Sequence, residues 1–83
     1  NKDLSRFENI VEGHVVFASY DINGDTIGIK YVEAHPALRG SGAAGRLMVE
    51  IMDHARVHNL KVYPICSYAV AWMNRHPEYD DLK

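Results

Sequence analysis

The segment GSGAAG, Gly40 to Gly45, divides the chain into two parts with different periodicity. Before it, Ile27, Ile29 and Tyr31 alternate, the pattern of a strand. After it, Ala44, Leu47, Met48, Ile51 and Ala55 recur at three and four residues, one stripe of an amphipathic helix. A strand that turns through glycine into a helix exposes backbone amides where the first helical turn has no internal acceptors. The helix must then bury its stripe against whatever the rest of the chain forms.

Upstream, SRFENIV carries Phe7 and Ile10 and runs to Gly13, which reads as a first strand. HVVFASY, His14 to Tyr20, is rich in residues that suit a pleated surface. Asn23-Gly24 then gives a hairpin turn, and TIGIKYV returns with Ile27, Ile29 and Tyr31 at alternate positions. Pro36 interrupts pairing. On the helix, Arg46, Glu50, Asp53 and His54 lie opposite the stripe, Arg46 and Glu50 are spaced to pair, and His54 and His58 read as solvent-facing. Asn59 tolerates the left-handed conformation that ends a helix. Leu60 to Cys66 reads as a short strand limited by Pro64, and Ser67 is placed to cap a second helix from Tyr68 to about Arg75, which Pro77 ends. Tyr68, Trp72 and Met73 read as core, His76 as a helix-end residue, and Tyr79 as the contact that holds the tail. The order is strand, strand, strand, helix, strand, helix: an α+β fold with a mixed, mostly antiparallel sheet packed on two helices.

Length and composition narrow the function. The 83 residues fit one domain. The formal net charge is −2 with both signs interspersed, which argues against a general nucleic-acid or membrane-surface binder. No apolar run approaches the roughly 20 residues of a membrane span. Cys66 is the single cysteine, so no internal disulfide forms, and no Cys/His spacing fits a zinc site. A reducing cytoplasm is the simplest compartment.

The glycine-rich junction builds an anion site. Gly40, Gly42 and Gly45 leave amides uncovered, Ala43 and Ala44 nearly so, and Arg39 adds a cation. An ATP-type loop needs lysine and then serine or threonine after the last glycine, where Arg46 and Leu47 stand. The three glycines have the dinucleotide spacing, but the preceding strand follows a hairpin, and the chain is too short for a doubly wound sheet. A loop that only lets a helix pack closely on a strand reads about as well as a phosphate cradle.

RGSGAA fits the signature of the GNAT acetyltransferase superfamily, with Arg39, Gly42 and Ala44 at its fixed positions. From Phe7 to Leu82 the chain resembles a very small single-domain GNAT subfamily, most specifically in LKVYPICSYA and RHPEY. The resemblance implies a minimal GNAT fold with splayed central strands. It implies that coenzyme A pyrophosphate lies on the amides of Arg39, Gly40, Ser41, Gly42, Ala43, Ala44 and Gly45. The pantetheine arm and acetyl group would lie in the wedge between the strand ending near Ala34 and the next one, and the nucleotide end would touch the last helix. Many members carry a His-Thr pair before the loop, where Tyr31 and Val32 stand here. Larger relatives often have a tyrosine in the last helix that protonates the leaving thiolate, and here that helix offers Tyr68 and Trp72.

Acetyl transfer from a thioester needs a deprotonated amine and a proton for the departing thiolate. Cys66 lies where the wedge meets the last helix and is a candidate to accept the acetyl group or give a proton, against the plain reading of a buried apolar residue. Glu33 and His35 flank the end of the wedge strand, share one face with Tyr31, and are candidate proton acceptors, against the plain reading of a solvated strand end. Two functions follow. One is an acetyl-CoA-dependent N-acetyltransferase acting on an amine of a small molecule or a protein. The other is a coenzyme A or acyl-CoA binding module without turnover.

Overall fold

The computed structural model describes residues 6–38 and 40–83. Its elements are β1 (Arg6–Val11), β2 (His14–Asn23), β3 (Thr26–Ala34), α1 (Ala43–Val57), β4 (Lys61–Pro64) and α2 (Ser67–Asn74). Short 3-10 turns span Pro36–Leu38 and Pro77–Leu82. The four strands form one sheet in the order β1-β2-β3-β4, antiparallel except for the parallel β3–β4 pair. A parallel neighbour needs a crossover, which α1 supplies.

One irregularity in β3 positions everything that follows. Ser19 pairs with Tyr31 and Tyr20 with Ile29, so Lys30 is an extra residue, a bulge. An extra residue exchanges the faces of the strand. Ile27 and Ile29 are therefore fully buried, while Tyr31 is half-exposed and Glu33 exposed. The alternation of Ile27, Ile29 and Tyr31 predicts one shared face. The bulge breaks it and turns Tyr31 away from the core.

Both helices feed one core. Leu47, Met48, Ile51, Met52 and Ala55 of α1 meet Val16, Ala18, Ile27, Ile29 and Val62 of the sheet, with Ala69, Trp72 and Met73 of α2. The stripe on α1 is wider than its spacing predicts. Met52 joins it, while Ala44 is only partly buried. His54 is also not solvent-facing: it is half-buried, edge-on to Phe7 at 5.2 Å. Arg46 and Glu50 form no pair. Glu50 accepts from Asn9 Nδ2 at 2.8 Å, and Arg46 reaches back to the preceding loop.

The helix ends show why the chain turns where it does. Asn59 adopts φ 56, Leu60 N–H donates to Ala55 O (2.8 Å) and Asn59 N–H to Arg56 O (3.3 Å), which satisfies the last carbonyls of α1. At α2 the cap is Cys66, not Ser67. Cys66 is extended (φ −76, ψ 152), and its Sγ accepts from Ala69 N–H at 3.4 Å. The reason lies in β3: the amides of Ile65 and Cys66 both donate to Ile29 O, which fixes the exit from β4 one residue early. The tail closes on α2 as predicted. Trp72 stacks on His76 (3.9 Å) and Tyr79 (5.6 Å), and His76 Nδ1 lies 2.7 Å from Trp72 O.

Candidate functional site

The loop between β3 and α1 is held open by its own hydrogen bonds. Ser41 Oγ donates to Leu38 O (2.6 Å) and accepts from Ala43 N–H (3.2 Å). Ser41 N–H donates to Leu38 O at 3.1 Å. Gly40 (φ 78) and Gly42 (φ 81) adopt left-handed conformations that other L-residues resist. The first backbone bond of α1 runs from Arg46 N–H to Gly42 O. The amides of Ala44 and Gly45 therefore have no acceptor within the helix. A Cβ on Gly40 would meet nothing within 4 Å, and one on Gly42 would meet only the Arg46 guanidinium, so the space beside these two glycines is open. Arg46 Nη1 donates to Ser41 O at 3.1 Å, which brings a cation over the loop. The sequence reading assigned the loop cation to Arg39, which lies outside the described residues, and missed Arg46.

A hollow of about 280 Å³ lies against this loop, lined also by Ala34, Leu38 and Tyr68. Tyr68 is thus at the cavity rather than wholly in the core. Burial pushes its hydroxyl above the ordinary tyrosine range, Arg75 draws it back, and Cys66 raises it. It holds its proton at neutral pH. The signal for this position was its place at the start of α2, next to the β4 exit, where a side chain overlooks the strand ends. Free amides, a helix N-terminus and a guanidinium suit a diphosphate.

Beside the loop, β3 has a free edge. Its pairing with β4 ends at Ile29 opposite Pro64, and the chain then leaves through Ile65 and Cys66. From Lys30 to Ala34 no strand among the described residues pairs with β3 on that side. The two strands therefore part where Cys66, partly buried and in no disulfide, caps α2. Glu33 lies on the exposed face, where the Tyr31 hydroxyl donates to its carboxylate, and that bond holds the Tyr31 hydroxyl above its ordinary range. Ala34 faces the loop hollow instead. His35 stacks on His14 at 4.2 Å, and its Nδ1 accepts from Ala37 N–H at 3.0 Å. That bond occupies Nδ1 and leaves Nε2 facing away from the turn. The structure thus brings Tyr31, Glu33 and His35 to one side of the strand end, and the loop, Tyr68 and Cys66 to the other.

A mixed sheet whose parallel strands part beside a glycine-rich helix N-terminus defines a class, the GCN5-related acetyltransferases. Comparison with known proteins agrees. The profile of the GCN5-related N-acetyltransferase family matches residues 6–82, and the chain belongs to that family. In fold it is similar to a GCN5-like protein of Staphylococcus aureus solved by NMR, with a TM-score of 0.66 at 20% identity over 92% of this chain and 85% of that one. The chain is therefore an N-acetyltransferase by family, an enzyme of acyl transfer. No helix among the described residues is long and apolar enough to cross a membrane.

Proposed function

We propose that the protein transfers an acetyl group from acetyl-CoA to a primary amine. The observation that carries this is the loop: amides at Ala44 and Gly45 with no acceptor within the helix, open space beside Gly40 and Gly42, and Arg46 bonded to the loop, all beside the edge of β3 that β4 leaves. In this reading the loop from Arg39 to Gly45 holds the coenzyme A pyrophosphate, and Ala34 borders the wedge that receives the pantetheine arm. Bound acetyl-CoA supplies the acetyl group as a thioester. Glu33 takes a proton from the acceptor ammonium, and Tyr31 orients the carboxylate. Tyr68 gives a proton to the departing sulfur, and burial keeps its hydroxyl protonated until the thiolate forms. As the new nitrogen–carbon bond forms, the carbon–sulfur bond breaks. The ammonium loses two protons: one leaves through Glu33 to water, and the other restores, through solvent, the proton that Tyr68 gave to the sulfur.

Cys66 supports a second route, because it is a free thiol at the N-terminus of α2 next to Tyr68. It would carry the acetyl group as a thioester before the amine takes it. A lone unpaired cysteine fits the reducing cytoplasm as the place of reaction. Family membership favours turnover over a binding module that only holds coenzyme A.

The test is calorimetric titration of coenzyme A, thiol release from acetyl-CoA with a panel of amines, and intact mass after incubation with acetyl-CoA alone. Binding and amine-dependent thiol release without a mass adduct support direct transfer. An acetyl adduct that Cys66→Ala removes supports the route through Cys66. Absence of coenzyme A binding refutes both.

A further inference from the structure

A second hollow lies across the strand from the loop. It measures about 510 Å³, within the range of small-molecule sites, and opens on the sheet face that carries no helix. Glu33, His35 and Pro36 line it from the end of β3, His14, Val15 and Phe17 from β2, and Arg6 and Glu8 from β1. Glu33 and Ala34 are chain neighbours that point to opposite faces, so β3 separates the two hollows, the second spreading from Glu33 over β2 and β1. A molecule in one could meet a group from the other around the end of β3.

The charges here are uneven. Arg6 bonds to Glu8 at 2.6 Å and lies 3.9 Å above the Phe17 ring, so those two charges answer each other. Glu33 has only the neutral Tyr31 hydroxyl, and no cation lies within ion-pair distance of it among the described residues. The walls are ring faces: Phe17, and the His14–His35 stack at 4.2 Å and 23°. An ammonium group would pair with Glu33, and a flat ring would lie against the outer side of the His14–His35 stack, since Arg6 covers one face of Phe17. A carboxylate would meet two carboxylates and a guanidinium already bound.

We propose that this hollow is the acceptor site, and that the acceptor is a small primary amine bearing an aromatic ring and no carboxylate, bound as its ammonium ion. This rests on the reading of the loop as the coenzyme A site, but its test does not. Amide NMR spectra are recorded with phenethylamine, phenylalanine, 2-phenylethanol and n-butylamine, and coenzyme A is titrated separately. Phenethylamine moves the amides of Val15, Phe17, Glu33 and His35. The other three bind at least about tenfold more weakly, the scale of one lost charged hydrogen bond or one lost ring contact. Glu33→Gln removes the charge and Val15→Trp fills the hollow. Each weakens phenethylamine at least about tenfold and leaves coenzyme A affinity unchanged. Shifts elsewhere, equal binding of phenylalanine or n-butylamine, or indifference to Val15→Trp overturns the proposal. If coenzyme A fails to bind while phenethylamine still maps here, the loop reading fails and this amine site stands.

Discussion

The loop glycines are not equivalent, and replacing Gly42 and Gly45 by alanine separates them. Gly42 is the cap of α1 with φ 81 and ψ 9. A side chain there forces the left-handed conformation at about 1–2 kcal/mol. Its Cβ would lie 3.5 Å from Arg46 Nη1, an ordinary contact, so strain rather than collision sets the cost. Gly45 is inside the helix, and its Cβ would lie 3.6 Å from Trp72 Nε1, again ordinary contact. Alanine there exchanges a poor helix former for a good one, worth up to about 1 kcal/mol in favour. Each kcal/mol moves Tm by about 4–8 °C in a chain of this size. Gly42→Ala therefore lowers Tm by roughly 4–16 °C, and Gly45→Ala leaves it level or raises it by a few degrees, at about that same scale. Thermal unfolding followed by circular dichroism, with urea unfolding as a control, reads both. Coenzyme A titration of the same variants shows the greater loss in Gly42→Ala, where relief of the left-handed strain shifts the loop backbone. Equal destabilisation by the two substitutions, or a neutral Gly42→Ala, refutes the backbone argument.

Other outcomes follow from the same geometry. Cys66→Ser keeps an oxygen cap for Ala69 N–H and retains Tm, whereas Cys66→Ala loses the cap and up to about 1 kcal/mol by urea unfolding. Under direct transfer both keep most of their thiol-release activity. Tyr68→Phe lowers kcat with little change in coenzyme A affinity, read by steady-state kinetics beside calorimetry. Trp72→Ala, which empties a site packed by His76 and Tyr79, destabilises by about 3–5 kcal/mol in the same unfolding assay. The Arg56 hydrogen bond holds the Asp81 carboxyl below its ordinary 3.8, so the folded chain favours the anion. That stabilisation is complete above about pH 4 and fades as pH falls through the lowered value. The Tm gap between the natural chain and Asp81→Asn accordingly narrows as pH is lowered from 6 to about 2.

The order of elements was legible because its signals are local. Asn23-Gly24, the stripe from Leu47 to Ala55, and Asn59 each act within a few residues of chain. The loop was legible for the same reason, since glycine at Gly40 and Gly42 meets a backbone need set by its immediate neighbours. The bulge at Lys30 was not legible. It is a property of how β2 and β3 register, and no residue type at Lys30 announces it. Missing it left Tyr31 on the wrong face relative to Ile29. The roles of Arg46 and Tyr68 were hidden in a similar way. Periodicity gives a helix face but not what the strand ends bring against it, so Arg46 read as half of a surface pair and Tyr68 as core, with only the family resemblance offering Tyr68 beside Trp72 for the thiolate. Cys66 took the cap from Ser67 because Ile29 O fixes the β4 exit, a long-range bond.

The most direct test of the account is an amide NMR titration of the natural chain with coenzyme A. The account predicts saturable shifts, largest at Gly42, Ala44 and Gly45, with smaller ones at Ala34 and Tyr68, and loss of saturation in Gly42→Ala. Binding that leaves the Gly42, Ala44 and Gly45 amides unmoved, or no binding at millimolar coenzyme A, would contradict it.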